Sequence, residues 1–234
     1  MLCKQDEEEL ILKIPELDID LASPGPFHWM RTDTSEESFQ NGLLHGASRW
    51  FSPEGKLLSE QWFWQGRRMG IGRQYYMGGA LYRMDRFKQG EQWGLQQSFY
   101  EQGILKTQEF YEQGKRHGES ALYWPSGAIK RRTQFSHSLR EGADQMWSEE
   151  GILLDEGFYE KGLPVGNHRR YSPRGHLIEE FEYLDAKRWN YRRFDKNSHL
   201  HSEIRWLDAH RFLERTWDET QKIWIEHENR DEVF

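Results

Sequence analysis

Hydrophobic and polar positions along the chain follow a pattern that repeats every 24 residues and is marked by glycine. Two glycines four residues apart open each repeat, and a third follows nine residues later. The three positions are Gly42, Gly66, Gly90, Gly114, Ser138 and Gly162; Gly46, Gly70, Gly94, Gly118, Gly142 and Gly166; and Gly55, Gly79, Gly103, Gly127, Gly151 and Gly175. Beyond Asn190 the repeat is one residue shorter, and other residues replace the glycines. The pattern therefore predicts six clear repeats followed by one or two degenerate ones.

Three rows of apolar side chains recur within the repeats. The first ring stands five residues after the second glycine, an aliphatic residue two after the third glycine, and the second ring eight after it. The rows are Phe51, Tyr75, Phe99, Tyr123, Trp147 and Tyr171; Leu57, Leu81, Leu105, Ile129, Leu153 and Leu177; and Phe63, Phe87, Tyr111, Phe135, Tyr159 and Tyr183. Apolar and polar positions alternate with a period of two in each half, which is typical of strands. We expect these rings to form the core.

The two halves of each repeat are separated by turn sequences such as Ser52-Pro53-Glu54-Gly55, so each repeat is predicted to be a β-hairpin. Stacked hairpins give an all-β fold, an elongated single-layer antiparallel β-sheet of tandem hairpin repeats, capped at both ends. We predict an acidic N-terminal capping segment over 1–41, the hairpin array over 42–208, and a degenerate repeat or C-terminal cap over 209–234. Residues 10–14 and 17–21 are predicted cap strands, with a break at 24–26.

One stretch of the repeat array resembles a known family. The segment from Tyr111 to Gly127 resembles the MORN (membrane occupation and recognition nexus) repeat, in the bacterial variant form with the signature Y-x-x-G-K-x-H-G … Y-x-x-x-G. The resemblance covers about residues 41–208, with departures at Ser138, Ala186 and Asn190. It implies a curved β-sheet used as a binding scaffold, with no enzymatic residue set. Eukaryotic members are linked to membrane attachment and protein scaffolding, and bacterial variants to antitoxin or immunity components.

Composition and charge exclude several other classes. Only 36% of the residues are apolar, but 15% are aromatic, which argues against disorder. The single cysteine, Cys3, excludes an internal disulfide and a thiolate zinc site. Residues 1–41 carry three cations and ten anions, so their net charge of -7 equals that of the whole chain. The remaining residues are neutral overall and lack the excess of basic residues that is typical of nucleic-acid-binding proteins. With no signal peptide or apolar span, we expect a cytoplasmic protein.

Six aromatic residues lie at positions of the opposite strand parity to the predicted core rows. They are Tyr76, Tyr100 and Trp124, directly after the first ring, and Trp62, Phe110 and Phe158, directly before the second. Adjacent side chains of a strand point to opposite faces, so these residues are expected to form a second aromatic surface. Either the termini or the curvature of the sheet cover it, or it is an exposed patch that binds a protein partner.

Basic residues cluster in the fourth repeat and at its edge, where Arg116, Lys130, Arg131 and Arg132 stand close in sequence. They are either an ordinary solvated face or a site for an acidic protein or anionic lipid head groups. The first expected function is a non-enzymatic scaffold for protein–protein interaction, of a bacterial antitoxin-like, immunity-like or effector-associated kind. The alternative is a peripheral protein that binds anionic lipid. An open array predicts a monomer or an edge-paired dimer.

Catalytic and metal sites are not expected. His45 and His117 occupy the same turn position of two repeats, which favours a role in the turn. His199 and His201 form a pair on one strand but lack an obvious third ligand. A flat sheet offers no enclosed pocket in which the pKa values of two carboxyl groups would separate, as acid–base catalysis requires. We therefore predict no catalytic residue, no metal and no cofactor.

Overall fold

The computed structural model describes residues 28–230, and within that range it contains nineteen β-strands and no helix. The predicted cap strands at 10–14 and 17–21, the break at 24–26 and Cys3 lie outside the described residues. The strands are β1 (His28–Arg31), β2 (Ser35–Gln40), β3 (Leu43–Phe51), β4 (Leu57–Trp64), β5 (Arg67–Tyr75), β6 (Leu81–Lys88), β7 (Glu91–Gln92), β8 (Gly94–Phe99), β9 (Leu105–Glu112), β10 (Lys115–Tyr123), β11 (Ile129–Ser136), β12 (Leu139–Trp147), β13 (Leu153–Glu160), β14 (Leu163–Tyr171), β15 (Leu177–Tyr183), β16 (Trp189–Phe194), β17 (Leu200–Trp206), β18 (Arg211–Asp218) and β19 (Ile223–Arg230).

The chain forms two compact units, and the division between Gly103 and Ile104 falls inside the predicted array. In the first unit, β1 to β6 pair in chain order, and both β7 and β8 pair with β6. In the second unit, β9 to β19 pair in chain order. Every pair is antiparallel. The predicted all-β class of tandem antiparallel hairpins is confirmed.

The first glycine of each repeat belongs to a two-residue hairpin turn. Asn41 and Gly42 have φ angles of 50° and 76°, and the turns that begin at Gln65 and Gln113 repeat this arrangement. Two consecutive residues with positive φ are characteristic of a type I′ turn, whose twist matches that of the flanking strands. In the fifth repeat Ser138 adopts the same conformation, with a φ of 71°. A side chain at that φ carries backbone strain that glycine avoids.

The predicted core of rings is only partly correct. Of the two ring rows, Phe87 alone among the described residues is buried, at 8% exposure, and the other rings are half-buried. The most buried row stands two residues after the second glycine and includes Ser48, Gln96, Ser120 and Asp144, where the alternation predicted outward polar positions. A single layer of sheet is covered only by its own side chains. Small residues in the middle of the strands are therefore covered by longer neighbouring side chains, whereas large rings keep one edge exposed to solvent.

Candidate binding surface

The second unit has two chemically different faces over β13–β19. On one face arginine and glutamate alternate from strand to strand, and we call this the ladder face. Its members are Glu156, Arg169, Glu180, Arg192, Glu203, Arg215 and Glu226, joined by successive ion pairs of 3.8, 2.9, 3.1, 3.5, 2.6 and 3.8 Å. Because side chains alternate along a strand, the neighbours of these residues lie on the opposite face. We call that opposite side the ring face.

The ring face carries eight aromatic side chains and one isoleucine, which we call the aromatic surface; ring contacts join the members of β13–β16, and a cavity joins Trp189 to those of β17 and β18. Its members are Tyr159, His168, Phe181, Tyr183, Trp189, Tyr191, Ile204, Trp206 and Phe212. Ring centroids are 5.1 Å apart for Tyr159 and His168, 4.9 Å for His168 and Tyr183, and 4.9 Å for Phe181 and Tyr191. These separations are typical of favourable edge-to-face and tilted pairs.

A glycine outside the repeat pattern makes room for one of these rings. Gly157 stands where Thr133 stands one repeat earlier, and a Cβ atom at this position would collide with the His168 ring. The imidazole therefore lies flat over the backbone, with its Nε2 2.8 Å from the carbonyl oxygen of Phe158. From there it contacts tyrosine rings on both sides. Gly157 thus allows the surface to begin at β13.

The C-terminal part of the aromatic surface is the most exposed. Trp189, Trp206 and Phe212 line a shallow cavity of about 180 Å³ together with Ile204 and Lys187. Trp189 is 42% exposed. The Arg188 guanidinium stands 5.9 Å from the centre of the Trp206 ring. The cavity therefore presents indole and phenyl surface bordered by basic side chains.

Tyrosine hydroxyls at this surface stay protonated. Burial raises the pKa of Tyr183 and of Tyr191. The Tyr191 hydroxyl donates a hydrogen bond of 3.1 Å to the Glu179 carboxylate, which adds to the effect. These groups act at neutral pH as apolar rings with a hydrogen-bond donor at one tip.

Three of the predicted partner-binding residues are exposed, as expected, but the two that share the second unit stand apart. Trp62 on β4, Phe110 on β9 and Phe158 on β13 are 44%, 41% and 58% exposed. Phe158 lies on the ladder face, two residues along from Glu156. Four strand spacings separate β9 from β13, so Phe110 and Phe158 are about 19 Å apart along the sheet. Gln134 occupies the same position in the repeat between them. Within the second unit the structure does not bring Phe110 and Phe158 together into one patch.

Tyr76, Tyr100 and Trp124 are half-buried and lie at the first position of a turn, beyond the last residue of the strand. Strand alternation stops at the turn, so parity does not place them on one face with the other three rings, and their partner-binding role stays a prediction. The Tyr76 hydroxyl donates a hydrogen bond of 2.9 Å to the carbonyl oxygen of Phe99. Trp124 Nε1 donates one of 3.2 Å to the carbonyl oxygen of Trp147. These two residues therefore connect neighbouring repeats.

Arg131, another predicted partner-binding residue, is held in a buried polar network on β11 and β12. Its Nε and Nη2 atoms donate to the two carboxylate oxygens of Asp144 at 2.8 and 2.6 Å. The Thr133 hydroxyl donates to the same carboxylate at 2.8 Å, and Arg140 lies 3.4 Å from it. Burial alone would raise the pKa of Asp144, but the hydrogen bonds from Arg131 and Thr133 outweigh it and the pKa is lowered.

The remaining predicted basic residues also have partners. Arg116 lies 3.7 Å from Glu109 and its guanidinium stands 4.5 Å from the centre of the Phe135 ring. Arg132 lies 4.0 Å from Glu119. Lys130 stands over the ring of Trp124 at 4.1 Å. Carboxylates and aromatic rings compensate much of the positive charge of this cluster.

The first unit has a more polar concave site. It holds a cavity of about 200 Å³ lined in part by Ser48, Gln61 and Asp85, with Phe63 and Phe87 as its apolar members. Among residues 28–230 no group of three histidine, cysteine, aspartate or glutamate side chains is placed to hold a metal ion. In the same range no helix is long and apolar enough to cross a membrane.

Two segments of the chain match the family model of the MORN repeat variant, at residues 44–64 and 94–113. Both segments lie in the predicted array, and the first spans the turn and second strand of a hairpin that the structure contains, β3–β4. A comparison with curated proteins finds no match.

The aromatic surface does not stand out as a site in the sequence. Tyr159 and Tyr183 fall in the predicted core rows, Trp189 stands at the variable turn position that His45 and His117 occupy, and the lost residue after Asn190 hid Trp206 from the periodicity. One signal was present in Gly157, which breaks the glycine pattern. A glycine inside a predicted strand indicates a close approach by another group, and here that group is the His168 ring.

Proposed function

We propose that this chain is a non-enzymatic repeat scaffold that binds a protein partner through the aromatic surface of its second unit. The observation that supports the proposal is a series of ring contacts from Tyr159 to Trp189, which the cavity shared by Trp189, Trp206 and Phe212 extends to β18. Tryptophan and tyrosine dominate the binding energy of protein interfaces. Large contiguous apolar patches are uncommon on monomers without a binding role.

A protein partner is favoured over an anionic lipid surface by the arrangement of the charges. Lipid binding through basic residues needs cations that face the membrane together. Arg116, Arg131 and Arg132 instead form ion pairs with carboxylates of the same unit. Binding to the aromatic surface does not need a group of unpaired cations, because apolar contact supplies the binding energy.

The finer role that the resemblance implies is that of a bacterial antitoxin or immunity protein acting in the cytoplasm, as a monomer or an edge-paired dimer. In that case the partner is a toxin whose activity the chain blocks. The partner-binding role predicted for Trp62, Phe110 and Phe158 stays a prediction, and their variants serve as the comparison in the test.

The test is affinity capture from native lysate at moderate salt with three tagged baits. The first is the unaltered chain, and the second carries Trp189→Ser and Trp206→Ser. The third is the matched control, with Phe110→Ser and Phe158→Ser, which removes two rings from the same unit outside the aromatic surface. Circular dichroism melts verify that all three baits are folded.

We expect one protein to be captured in stoichiometric amount by the unaltered chain and by the control, and to be lost with the tryptophan variant. If the control loses the partner and the tryptophan variant keeps it, the proposal that the aromatic surface binds the partner is wrong, and the partner binds through the rings predicted from the sequence. If no bait captures protein and the chain binds anionic vesicles in a salt-sensitive way, the lipid alternative replaces the proposal.

A further inference from the structure

A second cavity lies in the last four strands of the second unit. It has a volume of about 360 Å³ and is formed where the β16–β17 turn meets β17, β18, β19 and the turn between β18 and β19. Its lining residues are Asp195, His199, Leu200, His201, Trp217, Glu219 and Trp224. A volume of this size is in the range of small-ligand sites. Trp217 and Trp224 have the strand parity of Arg215 and Glu226, so the cavity opens on the ladder face, opposite the aromatic surface.

Two indole rings form a corner of this cavity. Trp217 and Trp224 are direct cross-strand partners, with ring centroids 5.6 Å apart and planes inclined at 61°. The faces of aromatic rings are negative and attract cations. The chain already uses this property, because the Arg215 guanidinium stands 4.7 Å from the centre of the Trp224 ring. A corner of two rings fits a rounded cation better than a flat one.

Carboxylates supply the negative charge. Asp195 is fixed by its own turn, in which Oδ1 accepts hydrogen bonds from the backbone N–H groups of His199 at 2.9 Å and Asn197 at 2.8 Å. These bonds lower the pKa of Asp195, so it stays ionised. Glu219 stands on the β18–β19 turn at the rim of the cavity, but its 65% exposed side chain already pairs with Lys222 at 3.0 Å, so Asp195 is the principal source of negative charge.

We propose that this cavity binds an organic ammonium cation, supplied either by a small quaternary ammonium compound or by a methylated lysine of a protein. Both sources present the same chemistry, a positive charge spread over methyl groups that contact aromatic faces. A sugar stacks its flat face on one ring and gains little from a corner. The inference goes beyond the proposed scaffold function, because it concerns the opposite face of the sheet and a different ligand.

The test is a titration of the full chain, labelled with ¹⁵N at its indole groups and followed by NMR. The probes are choline and the uncharged alcohol in which a carbon atom replaces the choline nitrogen. Trp217→Phe and Trp224→Phe assign the two indole signals. We expect choline to shift both signals saturably, and the alcohol to leave them in place. A peptide with trimethyllysine is titrated beside its unmethylated form. If the methylated peptide binds at lower concentration than choline, the natural ligand is a protein; if choline binds at lower concentration, it is a small molecule.

A matched pair of aspartate variants tests the carboxylate. Asp208 fixes its own turn as Asp195 does, with Oδ1 accepting from His210 N and Arg211 N, but it lies outside the cavity. We expect Asp195→Asn to weaken choline binding by about threefold to tenfold and Asp208→Asn to leave it unchanged. Equal shifts from choline and the alcohol, no shift at either indole, or equal effects of the two variants would overturn the proposal.

Discussion

Replacing Asp144 by alanine removes the acceptor of the buried network on β11 and β12. Asp144 is 2% exposed and accepts two hydrogen bonds from the Arg131 guanidinium and one from the Thr133 hydroxyl. The alanine variant leaves a half-buried guanidinium and a buried hydroxyl without their partner.

The magnitude follows from those lost bonds. Hydrogen bonds to a charged group contribute about 1.5–3 kcal/mol and a neutral donor about 1 kcal/mol. A third of the Arg131 side chain is in contact with water, which keeps the loss below that of a fully buried pair. We expect Asp144→Ala to lower the free energy of unfolding by about 3 kcal/mol, and the melting temperature by about 6–12 °C for a chain of this length.

The assay is urea unfolding followed by circular dichroism, with Asp155→Ala as the control. Asp155 lies 3.3 Å from Arg170 in a more exposed pair, whose removal is expected to cost about 0.5 kcal/mol. Asp144→Leu combined with Arg131→Met removes both charges and is expected to recover part of the loss. Equal costs for the Asp144 and Asp155 variants, or a loss below about 1 kcal/mol for Asp144→Ala, would refute the argument.

The same network gives a pH dependence of known sign. The pKa of Asp144 is lowered from its ordinary value of 3.8, so ionised Asp144 stabilises the folded state above that value. This stabilisation is lost as the pH falls through the lowered pKa. The difference in unfolding free energy between the unaltered chain and Asp144→Asn is therefore expected to be complete at pH 7 and to shrink below about pH 4.

Two further predictions concern the turns. Ser138→Gly relieves a positive φ but removes the hydroxyl that accepts an exposed hydrogen bond from the Arg116 N–H, so it is expected to stabilise the fold by at most about 0.5 kcal/mol. Gly114→Ser, at the equivalent turn one repeat earlier, is expected to destabilise it by about 1 kcal/mol. Melting temperatures that move in the same direction for both variants would contradict this. Tyr76→Phe removes only the hydroxyl that donates to the Phe99 carbonyl and is expected to cost about 1 kcal/mol in urea unfolding; an unchanged midpoint would show that the bond contributes nothing.

The hairpin plan was predictable from local rules. The turn glycines, the period of two and the spacing of 24 residues each depend on backbone geometry that a few neighbouring residues decide. The candidate surface was only partly predictable. Trp62, Phe110 and Phe158 are exposed as their parity indicated, but Tyr76 and Trp124 lie at turns, where the alternation that placed them no longer holds.

The sequence by itself determined where strands begin and turn, because φ preference and side-chain parity are properties of the local chain. Only the tertiary structure decided which side chains meet across strands. The alternating arginines and glutamates of the ladder face are distant in sequence and become neighbours through register alone. The same register covers Asp144 with Arg131 and places His168 over Gly157. Burial in a single-layer sheet depends on such cross-strand neighbours, and for that reason polar residues are its most buried positions while its rings remain available for binding.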